Sequence, residues 1–399
     1  MKLKFATKSI ILLVALASLL SFTKFDHCYK TNWATPDVYV HACYSDIPAL
    51  FTSRDLFHHT WPYSSTLNAV EYPPLTGVVM WATSLVTPAG NNSYRYYFLI
   101  NAILIAFLFA GSALFLARLK PEFWYLLPLS PAFILSLYIN WDLWAVISAL
   151  AAIYWFEEKS YTKSALTLGL SIATKFFPVV LLIPIVLIFI RRNQKSKALQ
   201  YISQTCLFWL SINLPFMILN FTGWWRFFKS NIERSADYGS VWYGLQLLGI
   251  NIRNLNEISL LAFLVGIAIF AVYFFGLERT PTLASCAFAV VAVFTISSKV
   301  YSPQYVLWLT PLAILAMRGA RDRSAFWIWQ GAEVLYHFAV WQYLAGFSGS
   351  HFGLAAKSYA VITLIRVAAS IYFTYFTLGL STRFRAPQMG EFLSSSVVG

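Results

Sequence analysis

Between Lys24 and Glu71 the chain turns polar and gathers Asp26, Asp37, Asp46, Asp55 and Glu71, nearly a third of its 16 acidic residues. Asp46 is the one placed to do chemistry. The run Tyr44-Ser45-Asp46-Ile47-Pro48 reads as a helix start, since Ser45 or Asp46 can cap free N–H groups and proline is tolerated in a first turn. A carboxylate fixed by its own helix, with an oxygen turned to a cavity, suits general-base removal of a hydroxyl proton. The same residue could serve only as a cap, and residue types alone leave both roles open.

The elements that must hold this segment are apolar. The chain has 399 residues, of which 59% are hydrophobic, 18% aromatic and 11% charged; a soluble domain carries about a quarter charged. Ser9–Thr23, Tyr96–Ala117, Val179–Ile190 and Ile258–Leu277 contain no charge at all. An ordinary soluble globule and a disordered chain are excluded. The net charge of +13 does not point to nucleic acid, because the bases sit in clusters abutting apolar segments: Lys2, Lys4 and Lys8; Arg191, Arg192, Lys195 and Lys197; Arg318, Arg321 and Arg323; Arg383 and Arg385. Cytoplasmic loops carry such clusters under the positive-inside rule.

The expected fold is therefore an all-α polytopic membrane protein. Apolar segments centre near positions 15, 80, 106, 131, 149, 169, 184, 209, 267, 288, 310, 334 and 368. The first has a basic start but no small-residue cleavage site, so it reads as an uncleaved helix. Basic residues place both termini in the cytoplasm, which requires an even number of crossings, about 12. One of the proline-interrupted segments, Tyr72–Pro88 or Phe123–Ile139, then fails to cross. Residues 1–385 are expected to form one membrane domain, with outer loops at 24–71 and 221–257 and a disordered cytoplasmic tail at 386–399.

The first outer segment is too long to be a mere connector. Ile47, Leu50, Phe51, Leu56 and Phe57 make an apolar stripe that would lay a helix along the membrane surface. The segment ends in Glu71-Tyr72-Pro73-Pro74, where two prolines break any helix and send the chain back toward the bilayer.

Asp46 in an outer loop, followed by the Tyr72-Pro73-Pro74 turn, resembles the superfamily-C glycosyltransferases that use polyprenyl-phosphate sugars. Asn140-Trp141-Asp142, Ala173-Thr174-Lys175-Phe176-Phe177-Pro178 and Ser297-Ser298-Lys299-Val300-Tyr301-Ser302-Pro303-Gln304-Tyr305 extend the resemblance. More narrowly the chain is similar to glycosyltransferase family 87, the polyprenol-phosphate-mannose-dependent α-mannosyltransferases of actinobacteria. The resemblance runs from Asp46 to about Pro311, and the remainder adds little to it.

The resemblance implies that Asp46 is the catalytic base of an inverting hexosyl transfer on the outer face of a bacterial plasma membrane. The donor would be a polyprenyl-phosphate sugar, the acceptor a glycolipid or a cell-envelope glycan of lipomannan type. A leaving phosphate needs cations or hydrogen-bond donors where charge builds up, and by placement these are Lys175, Lys299 and Arg234, with Gln304 beside them. Asp142, Glu71, Tyr72 and Tyr305 are expected to support the site or bind the acceptor, Asp142 alternatively pairing with a lysine. Trp61, Trp224, Trp225 and Trp242 could stack on sugar rings or anchor the interface. An arabinosyl- or glucosyltransferase is a rival within the same class. A flippase or transporter is a rival outside it, but no internal repeat is detectable.

Cys28 and Cys43 fall in the outer segment, where a disulfide is permitted. His27 and His41 flank them, so a zinc site using the cysteines is the alternative; adjacent ligands at 27 and 28 strain tetrahedral geometry, and no metal is expected. With no Gly-rich phosphate-binding motif, direct use of a nucleotide and any cofactor are not expected.

Overall fold

The computed structural model describes residues 2–64 and 69–378, and the tail expected at 386–399 lies outside them. Among the described residues all regular structure is helical. The N-terminal part comprises α1 (Lys2–Thr31), α2 (Asp37–Val40) and α3 (Asp46–Ser53). The middle holds α4 (Pro74–Leu85), α5 (Ser93–Leu119), α6 (Leu126–Leu129), α7 (Pro131–Ser136), α8 (Leu143–Glu157) and α9 (Tyr161–Thr174). Next come α10 (Leu182–Arg191), α11 (Lys195–Leu219), α12 (Phe221–Glu233) and α13 (Val241–Leu247). The chain closes with α14 (Leu255–Gly276), α15 (Leu283–Ser297), α16 (Val306–Ala316), α17 (Asp322–Phe347) and α18 (Ala356–Leu378). Every apolar centre read from the sequence falls inside a helix.

Lys8–Thr31, Ser93–Leu119, Lys195–Leu219, Leu255–Gly276 and Ala356–Leu378 are long and apolar enough to cross a membrane. Their outward faces are greasy: Leu12, Leu16 and Leu19 on α1, Ile218 and Leu219 on α11, and Leu260, Leu261, Ile269 and Val272 on α14 are all exposed. Polar groups are withdrawn instead, with Asn101, Asp142, Glu333, His337 and Arg366 buried. That inversion is what a bilayer selects, because lipid tails solvate leucine and reject charge. α17 is long, but Gln330, Glu333 and His337 lower its hydropathy, and these side chains face inward.

The two proline-interrupted segments are short. α4 has 12 residues, a rise of about 18 Å against a hydrocarbon core of about 30 Å. Phe123–Ile139 breaks into α6 and α7 around Ser130-Pro131. Backbone that leaves the helical ladder inside a membrane protein must be satisfied by protein, and where α7 ends at Ser136 it is. Lys24 Nζ donates to Leu135 O at 2.6 Å, Ser45 Oγ to Tyr138 O at 2.7 Å, and Asp46 N to Ile139 O at 2.7 Å.

Two expectations are corrected. The apolar stripe of α3 does not lie on lipid: Ile47, Pro48 and Phe51 are buried, and Phe51 stacks on Tyr97 of α5 at 4.3 Å between ring centroids. Phe57 leaves the stripe because the helix ends at Ser53, and a separate 3-10 turn, Leu56–His58, buries Leu56 and exposes Phe57. The stretch 221–257 is not a loop but holds α12 and α13. The face of α12 that carries Phe221, Trp224, Trp225 and Phe228 forms an aromatic cluster.

Candidate active site

Ser45, not Asp46, caps α3. Its Oγ accepts from Ile47 N at 3.2 Å and donates to Tyr138 O, so the Asp46 carboxylate is released from capping. That carboxylate, half-buried at the first helical position, opens onto a cavity of about 450 Å³. Asn140 Nδ2 donates to Asp46 Oδ2 at 3.3 Å, and the Tyr44 hydroxyl is its second partner. Burial pushes the Asp46 carboxyl above the usual carboxylate range, even though hydrogen bonds from Tyr44 and Asn140 and the charge of Lys175 pull the other way. The neighbouring Asp46 charge, with burial, in turn raises the Tyr44 phenol, which stays protonated and can donate.

Lys175 follows the end of α9 and faces the same cavity. Its ammonium forms an ion pair with Asp142, reaches Asn140 Oδ1 at 3.4 Å and lies 4.9 Å from the centroid of the Tyr72 ring. Asn140 thus touches Asp46 with its amide nitrogen and Lys175 with its carbonyl oxygen. Tyr72 is aimed by the turn after it: the Tyr63 hydroxyl donates to Pro73 O at 2.8 Å, and Thr76 Oγ1 donates to Thr174 O at 2.5 Å, joining the start of α4 to the residue before Lys175.

Across the cavity lie Arg234, Asp237 and Tyr238, then Ser302, Gln304 and Tyr305. Arg234 pairs loosely with Asp237 at 3.6 Å, and Asp237 N donates to Lys299 O at 2.9 Å, docking one segment on the other. Gly239 makes this approach feasible: its φ is +78° and a Cβ there would collide with Tyr301 O. The Gln304 carboxamide makes no hydrogen bond to another described residue. Tyr305 stacks on Trp308 at 3.8 Å, and Trp308 on Phe177 at 3.9 Å.

Of the residues singled out from sequence, the cavity brings together Asp46, Glu71, Tyr72, Lys175, Arg234, Gln304 and Tyr305. Lys299 is a correction. It is not on the cavity wall, because its ammonium donates to Ile232 O at 3.0 Å and Asn256 Oδ1 at 2.5 Å, tying α12 to α14. Asp142 is fully buried beneath Lys175, so it pairs with the lysine rather than meeting an acceptor. Glu71 is clamped by Arg54, with Nε–Oε2 at 2.8 Å and Nη2–Oε1 at 2.5 Å. The four tryptophans do not line the cavity. The Trp224 indole donates to Asn213 Oδ1, that of Trp242 to Ser297 O, Trp61 packs against Trp81, and Trp225 packs in the α12 cluster. The tryptophan on the wall is Trp341 of α17, stacked near Tyr44 and Tyr39.

The region past Pro311 holds the far wall in place. Arg366 of α18 and Glu333 of α17 form an ion pair at 2.8 Å with both side chains buried. Arg366 also donates to the Tyr301 and Ser302 carbonyls, and Tyr301 Oη donates to Glu333 Oε1 at 3.0 Å. Cys28 and Cys43 are joined by a disulfide that fixes the end of α1 to the residues just before α3.

Neither a family model nor a curated protein matches the chain. Among solved structures, the fold is similar to the crystal structure of ArnT from Cupriavidus metallidurans bound to undecaprenyl phosphate. The identity is 15%, with 94% of this chain and 77% of that one covered, at a TM-score of 0.48.

Proposed function

We propose that this protein is an integral-membrane glycosyltransferase that moves a hexosyl residue, mannose by the sequence resemblance, from a polyprenyl phosphate to a glycolipid or envelope glycan on the outer face of a bacterial plasma membrane. The observation that carries the reading is the uncapped Asp46 carboxylate, facing a polar cavity with Lys175 on its own side and Arg234 and Gln304 across from it. The undecaprenyl phosphate bound in the ArnT structure is of the class that leaves in the proposed reaction, but the reading rests on the cavity.

In this mechanism the acceptor hydroxyl gives its proton to Asp46 as its oxygen attacks the anomeric carbon. The new C–O bond forms as the bond from that carbon to the phosphate oxygen breaks, and the anomeric centre inverts. The polyprenyl phosphate leaves with the bonding electron pair. Lys175 and Arg234 meet the added negative charge, and Gln304, with its amide unengaged, supplies hydrogen bonds to the sugar or phosphate. Asn140 and Tyr44 aim the base.

The test is transfer of label from synthetic polyprenyl-phosphate mannose to membrane extract by the parent protein and by Asp46→Asn. Loss of a base lowers rates by about a hundredfold or more, and that is the expected fall, with donor binding unchanged. Equal transfer by the two proteins would remove Asp46 from the mechanism. Absence of transfer by the parent with mannose, glucose and arabinose donors alike would overturn the reaction class.

A further inference from the structure

A second cluster of chemically competent side chains lies outside the cavity. His27 is on the last turns of α1, Asp37 opens α2, and His41 is the C-terminal cap of α2. Their ligand-type atoms all lie within 4.8 Å of one another. His27 Nε2 is 2.7 Å from Asp37 Oδ2 and His41 Nε2 is 3.3 Å from Asp37 Oδ1, so both imidazoles present the same nitrogen to one carboxylate. The rings are stacked with centroids 3.6 Å apart.

We propose that His27, Asp37 and His41 bind one divalent transition-metal ion of the zinc class, with the remaining coordination position open to water. Two imidazoles and a carboxylate are an ordinary zinc donor set. Bonds of about 2.0–2.1 Å in a tetrahedron separate neighbouring ligand atoms by about 3.3 Å. The His41 Nε2–Asp37 Oδ1 spacing of 3.3 Å already has that value, and the His27 ring has to turn out of its stack on His41 to bring its Nε2 to the same ion. The carboxylate is held in place by Thr31, whose Oγ1 donates to Asp37 Oδ2 at 2.9 Å. The backbone is pinned by the Cys28–Cys43 disulfide, next to His27 and two residues beyond His41. Because the cysteines are bridged, Asp37 takes the place they would have held among the ligands, and the strain of adjacent ligands at 27 and 28 disappears.

A bound ion would also brace the cavity. Tyr39, between the two α2 ligands, lines it and stacks on Tyr44, while Gln342 of α17 donates to Val40 O at 3.1 Å.

The experiment uses the full-length protein in detergent, stripped with chelator and equilibrated with Zn²⁺, and counts metal by mass spectrometry after desalting. One zinc per chain is expected in the parent and in His58→Ala, an exposed histidine paired elsewhere with Asp55. At least tenfold weaker binding is expected in His41→Ala and Asp37→Asn. Thr31→Ala, which removes only the supporting hydroxyl, should lie between them, as outer-shell changes do. Since a variant could fail to fold, Co²⁺ is added to the parent alone, and the visible absorption of a four-coordinate cobalt site, abolished by Zn²⁺, is expected. A parent without stoichiometric metal and without that spectrum would overturn the proposal, as would equal retention in folded Asp37→Asn, His41→Ala and the parent.

Discussion

Lys175 sits directly over Asp142, its side chain 13% exposed toward the cavity while that of Asp142 is wholly withdrawn from solvent. The pair is asymmetric. If the aspartate is lost, the ammonium can still turn to the water-filled side; if the lysine is lost, the carboxylate stays trapped. Lys175→Met should therefore destabilise by about 3–5 kcal/mol, and Asp142→Leu by less. The double variant should recover most of the loss in thermal unfolding, yet transfer no sugar, since the cation proposed to face the leaving phosphate is gone.

The raised Asp46 carboxyl makes both activity and stability depend on pH, in opposite directions. Transfer needs the ionised base, so its rate should fall as pH drops through the elevated folded pKa, at a higher pH than an ordinary carboxylate would give. For stability, the folded state holds the proton more tightly than the unfolded chain between the unfolded pKa and the raised folded pKa. Stability is then lost as pH rises through that window. Asp46→Asn should accordingly unfold at a higher temperature than the parent at neutral pH, with the advantage vanishing once the medium is acidic enough to protonate Asp46. A Tm difference independent of pH would contradict this.

Glu333 and Arg366 differ from the first pair because the guanidinium has other obligations. Glu333→Ala should lose about 3–5 kcal/mol by stranding a buried arginine. Here a double change to Leu and Met should not restore stability, because the Tyr301 and Ser302 carbonyls lose their donors too. Activity should fall along with stability, through displacement of Gln304 and Tyr305, and a donor-binding titration would show it as weakened affinity.

Reduction of Cys28–Cys43, or replacement of both by alanine, should lower stability by about 3 kcal/mol in the chain-entropy account of a loop of this size. The segment 24–71 should become the first part of the chain open to added protease, ahead of the long helices.

The sequence carries the helices well because apolar runs are local. It carries the helix start at Asp46 for the same reason, since Ser45, Asp46 and Pro48 lie within four positions. It fails at Lys299, whose partners Ile232 and Asn256 are dozens of residues away, and spacing along a chain does not tell which way a loop side chain turns. Glu333 and Arg366 escape notice because each interrupts an apolar helix far from the other and from Tyr301. A charge in such a run is itself a signal, as it persists only where a partner compensates it. Asn140 stood beside Asp142 in a recognisable run, but its bridging of Asp46 and Lys175 needs three separated segments to meet.

The carbonyls left free where α7 ends bear on how the chain is built. Leu135, Tyr138 and Ile139 depend on Lys24, Ser45 and Asp46, and all three donors are made earlier by the ribosome. The interrupted segment cannot enter lipid on its own without leaving those oxygens bare. The order of synthesis supplies its partners in advance, so a circular permutant that begins after Asp46 would emerge with the end of α7 and without its donors.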